Sequence, residues 1–67
     1  MTLDEIYERV YEIRDLQDSE NQHKLEDMLH IEVLTAIANQ EIGLCEAHIC
    51  ATAALKTIEF DFPRWCA

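Results

Sequence analysis

Two groups of side chains in this chain have the types and spacing that bind metals. Glu20, His23, Asp27 and His30 recur at intervals of three and four, so a helix through them would line all four along one face. Glu20-x-x-His23 has the form of the Glu-x-x-His element of di-iron bundles, a fold that needs the motif twice and two further inward glutamates. Here the row begins within the most polar stretch of the chain, "LQDSENQHK", and reads better as a solvated face or a pH-sensitive contact. Cys45 and His48 lie three apart, with Glu41 four residues before, a set that could offer three ligands to zinc. Cysteine is among the most often buried residue types and His48 continues an apolar stripe, so core packing is the expected role and no metal or other cofactor is expected. Cys50 faces elsewhere on the same helix.

Catalytic chemistry finds no foothold. Ser19 belongs to a helix start, and Thr2, Thr35, Thr52 and Thr57 sit at another start or among apolar neighbours, with no His or acid at triad-like spacing. The single Gly rules out a glycine-rich phosphate loop. A non-enzyme is expected, with no catalytic residues.

The elements that would position these groups are helical almost throughout, because one Gly and one Pro in 67 residues leave little turn chemistry to bound strands. Thr2 opens a capping box with Glu5, and Leu3, Ile6, Val10 and Ile13 follow at spacings that stack them in a seam flanked by Tyr7 and Tyr11. A helix over about 3–17 follows, with Asp4, Glu8, Glu12 and Asp15 on its outer side and Glu5 placed to pair with Arg9. Ser19 with Gln22 makes a second capping box, and a turn near 17–19 is the best reading of the polar stretch, an unbroken helix through it being the alternative. From about 20 to 58 the pattern is again helical. Gly43 could break it, but no Ser, Thr, Asp or Asn lies between Gln40 and Ala51 to start another helix, so continuity is preferred. The expected fold is therefore all-α: one helical domain over 1–67, a hairpin of a short and a long helix with an aromatic tail over 59–67.

Such a hairpin predicts self-association. The first helix would cover less than half of a second one about 55 Å long, whose apolar stripes are Leu44, Ala51, Leu55 and Ile58, and beside them Ile42, Cys45, Ile49 and Ala53. Ala36, Gly43, Ala47 and Ala51 would form a line of small side chains that lets another backbone approach closely. A homodimeric bundle is expected, with Ala36, Gly43, Leu44, Ala47, Ala51 and Leu55 at its interface.

Composition limits the partners. A chain this short has a marginal core and needs reinforcement from a metal, disulfides, good helix packing or a second subunit. Three cysteines and no signal peptide point away from a disulfide framework and toward the cytoplasm, and no apolar run approaches the length of a membrane span. Residues 1–32 hold ten acids against three bases, and the whole chain is at −9. That surface repels phosphate, which disfavours direct binding of nucleic acid or an anionic membrane and favours a protein partner. The tail "EFDFPRWCA" offers two roles. Its rings can fold back over the bundle against Tyr7 and Tyr11, or Phe62 and Trp65 can dock into a partner with Arg64 as a charged anchor.

The stretches "TLDEIYERVYEIRDLQDSEN" and "LEDMLHIEVLTAIANQEIGLCEAHICATAALKT", most of the chain, resemble the very small helical proteins encoded in the early region of lambda-like temperate phages, between the exonuclease and excisionase genes. The resemblance implies an accessory protein of the host cytoplasm, made during infection or induction and acting through protein contacts on host physiology or on the choice between lysis and lysogeny. It carries no functional residues with it. The favoured function is thus a dimeric acidic interaction module that engages a host or phage protein through Asp4, Glu8 and Glu12 or through the tail. The alternative is a DNA mimic, since Asp4, Glu8 and Glu12 stand about 6 Å apart along a helix, close to the separation of neighbouring phosphates.

Overall fold

A computed structural model describes residues 1–62 and 64, all-helical with no strand among them. The first helix, α1 (Leu3–Asp15), starts at the expected capping box: Glu5 N–H donates to Thr2 Oγ1 at 3.2 Å, and Thr2 N–H donates to Glu5 Oε1 at 3.1 Å. Ile6, Val10 and Ile13 are buried along its seam. Arg9, however, pairs with Glu32 of the next helix and not with Glu5, whose carboxylate is already held by the cap.

The second helix, α2 (Ser19–Ala38), is capped by Asp18, whose carboxylate accepts from Glu20 N–H at 3.1 Å and from Asn21 Nδ2 at 2.9 Å. This corrects the Ser19–Gln22 box. Gln22 is buried and reaches α1 instead, donating from Nε2 to the Ile13 carbonyl at 2.9 Å. That last-turn carbonyl, which among the described residues otherwise accepts only from Leu16 N–H at 3.4 Å, thereby gains a second donor inside the core.

The long helix expected over 20–58 is interrupted at residues 39–43. Gln40 adopts φ 62°, Gln40 N–H donates to the Ile37 carbonyl at 3.1 Å, and Glu41 N–H donates to the Ala36 carbonyl at 2.9 Å. That pair of bonds is a Schellman ending, usually built on Gly. A left-handed non-glycine residue costs about 1–2 kcal/mol, whereas burying one Ile stabilises by about 1.5–3 kcal/mol, and Ile42 is only 5 % exposed. The reversal also lets the third helix, α3 (Leu44–Ala54), fold back and bury Cys50, Ala53 and Ala54. Gly43 is its N-cap in extended conformation (φ −68°, ψ 159°), with no side-chain capping bond. A 3₁₀ helix (Leu55–Glu59) follows, and Phe62 then enters the core.

The 20 residues of α2 run the length of a molecule measuring 33 × 20 × 15 Å, and α1 packs on both α2 and α3. In the apolar second half, Cys50, Ala53, Ala54 and Thr57 thus find shelter within their own chain, while Leu44, Ile49 and Leu55 stay exposed. Among the described residues no helix is long and apolar enough to cross a membrane.

Candidate functional site

The buried seam of α2 is Gln22, Glu26, Leu29, Val33 and Ala36, at spacings of four and three. Glu26 places a carboxylate in that seam at 4 % exposure, and such a group requires a partner. Arg64 supplies it, with Nε on Oε1 at 2.7 Å and Nη2 on Oε2 at 3.0 Å. The same guanidinium donates to the carbonyls of Thr57 (2.8 Å), Phe60 (3.2 Å) and Phe62 (3.3 Å) and lies 3.9 Å from the centre of the Phe62 ring. Burial pushes the Glu26 carboxyl up, but hydrogen bonding from Arg64, helped by the Thr57 hydroxyl, outweighs it and holds the group below the usual carboxylate range. The hydrogen bonds to Glu26 raise Arg64 in turn. Beside this pair, His30 Nε2 sits 3.1 Å from both the Ala54 carbonyl and Thr57 Oγ1, tying α2 to the end of α3.

This arrangement corrects the docking role expected of Phe62 and Arg64. Phe62 is 6 % exposed and belongs to the core, and Arg64 is committed to Glu26 and three carbonyls, so neither is presented to a partner. Trp65 lies outside the described residues.

The metal-like groups are also redistributed. His30 faces α3, leaving the predicted row, while Glu26 joins His23 and Asp27 in one cluster whose ligand atoms all lie within 4.8 Å of one another. The Glu41, Cys45 and His48 set loses its basis, because Glu41 stands in the interhelical loop and the three no longer share a helix face. Cys45 and His48 are exposed, contrary to the core packing expected of them, and Cys50 is the buried thiol among the described residues.

Of the residues expected at a dimer interface, Ala36 is buried in the chain's own core at 5 % and Ala47 packs partly against it. The line of small residues is cut by the loop, and among the described residues a Cβ added at Gly43 would meet nothing within 4 Å, so no close approach there requires a glycine. Leu44 is 92 % exposed, Leu55 is exposed and Ala51 half-buried. Leu55, Ala51 and Ala54 line an apolar groove of about 190 Å³ with His30, Val33 and Leu34 of α2. Ile31 and Ile58, one turn from Leu34 and Leu55, are exposed as well. A cleft of about 370 Å³ at the other side of α2 is polar, lined by Glu5, Arg9, Glu32 and Glu41 among others, with the Arg9–Glu32 pair across it.

Asp4, Glu8 and Glu12 are exposed on α1 and form no ion pair among the described residues. Comparison with protein families, with curated proteins and with solved structures finds no match.

The Glu26–Arg64 pair, Gln22 and Leu34 are the important residues that the reading of sequence overlooked. A signal for Glu26 was present: an acid in a 4-3-4-3 apolar spacing needs a base, and the chain has only five Lys and Arg. Which base answers it depends on the tail's path, which no local pattern encodes.

Proposed function

We propose that this protein is an acidic helical interaction protein that pairs with a second copy of itself through the α2–α3 face and presents its acidic α1 side to a partner protein. The observation that carries the reading is the row of large apolar side chains left outside: Ile31 at 63 %, Leu34 at 66 %, Leu44 at 92 %, Leu55 at 53 % and Ile58 at 58 % exposure. Exposed apolar side chains in this number on a small chain, with Leu34 and Leu55 lining one groove, favour association. A second copy is the favoured occupant because this face is the place where the chain's own charge obstructs pairing least. Two chains at −9 repel each other over most of their surfaces, and the groove between Leu34 and Leu55 is lined by no carboxylate. With the resemblance to small phage early proteins as its support, the reading extends to an accessory role in host or phage development, exerted by contact and not by catalysis.

Sedimentation equilibrium tests the pairing. A dimer is expected at micromolar concentration, and Leu34→Glu with Leu55→Glu is expected to yield monomers of unchanged helical circular dichroism. A folded wild-type monomer at tens of micromolar would end this reading.

The DNA-mimic reading draws support from Asp4, Glu8 and Glu12, exposed and free of ion pairs among the described residues. It expects capture of a DNA-binding protein that weakens with salt and with Glu8→Gln plus Glu12→Gln. Capture that ignores both changes would exclude mimicry.

A further inference from the structure

We propose that His23, Glu26 and Asp27 form a binding site on α2 for one transition-metal ion of zinc type. Both ring nitrogens of His23 are buried and, among the described residues, neither has a hydrogen-bond partner. Buried imidazole nitrogens in that state are uncommon and costly, and they call for a ligand. Asp27 lies one turn away on the same helix face. Its Oδ2 lies 3.4 Å from His23 Nε2, outside the alignment of a hydrogen bond. Two ligand atoms held about 2.0–2.1 Å from a tetrahedral centre are themselves about 3.3–3.4 Å apart, so this pair already spans one edge of a zinc coordination shell.

Glu26 supplies the third corner. The residues follow one another at i, i+3 and i+4, so the helix alone brings their ligand atoms within 4.8 Å. Each Glu26 oxygen accepts one bond from Arg64, and a carboxylate offers about four lone-pair sites, which leaves capacity for a cation. Arg64 then acts as an outer partner that fixes the carboxylate's orientation, as hydrogen-bonded groups behind metal ligands commonly do. With Glu26 and Asp27 against Arg64, the cluster keeps a surplus negative charge. An imidazole with two carboxylates selects a borderline ion such as zinc over calcium or magnesium, which favour oxygen donors alone.

Zinc chloride titrated calorimetrically into the full chain at pH 7.5 tests the site. One saturable site per chain is expected, together with a rise in Tm. Asp27 is half-exposed and makes no hydrogen bond among the described residues, so Asp27→Asn is expected to fold as the wild type does and to bind about tenfold or more weakly. His23→Ala is expected to abolish binding. Cobalt in place of zinc should show visible d–d bands without the near-ultraviolet thiolate band that Cys45 would contribute. Absence of saturable zinc uptake, an Asp27→Asn affinity equal to wild type, or a thiolate band would each overturn the assignment.

Discussion

Arg64 and Glu26 show how a short chain can depend on one pair. Removing Arg64 leaves a carboxylate in the α2 seam without its base, and Arg64→Ala is expected to destabilise by about 2–3 kcal/mol, below the 3–5 kcal/mol of a fully enclosed pair because the guanidinium is partly solvated. The pH dependence has a definite sign. In the wild type Glu26 is held below its ordinary range, so its contribution is complete above about pH 4.3 and fades as pH falls through the lower folded value. In Arg64→Ala burial dominates and raises the group, so the variant's deficit should shrink as pH drops from 7 toward 4. Thermal melts of both proteins across that range check this, and a deficit constant with pH would contradict it. Gln40 makes the opposite case. At φ 62° its side chain is a liability, and Gln40→Gly is expected to stabilise by about 1 kcal/mol in denaturant titrations.

Among the elements, the starts of helices were more legible than their ends. The Thr2–Glu5 box was readable because its donors and acceptors lie within four residues, and the turn after α1 followed from the polar "QDSEN". Gln22 misled because the same side chain suits a cap and a cross-helix bond, and only the proximity of the Ile13 carbonyl decides between them. The break after Ala38 was hidden for a similar reason. Its left-handed residue is a Gln, and its cap is a Gly without a side-chain oxygen. Gly43→Asp should therefore stabilise by about 0.5–1 kcal/mol, by supplying the missing cap and reducing unfolded-state freedom, since the new Cβ meets nothing within 4 Å. A loss of stability would show that the N-terminus of α3 needs the glycine itself.

At the scale of the whole molecule, charge and apolar surface pull in different directions. The −9 charge opposes self-association while Leu34, Leu44 and Leu55 favour it, so moderate salt decides how far the proposed pairing proceeds. Raising sodium chloride from 20 to 200 mM is expected to tighten the dimer several-fold in sedimentation experiments, whereas capture of a basic partner by α1 should weaken over the same range. Dimer affinity that falls with salt would mean that charge complementarity, and not the apolar face, joins the copies.

Sequence alone determined the helical class, the α1 seam of Ile6, Val10 and Ile13, and the acidic N-terminal half. Each of these follows from periodicity or composition, which act over one or two turns of chain. The reversal at Gln40, the burial of Phe62 and the meeting of Glu26 with Arg64 were decided by tertiary structure. Those contacts join residues up to 38 positions apart, and they form because the apolar second half gains more by folding back on α1 than by extending into water.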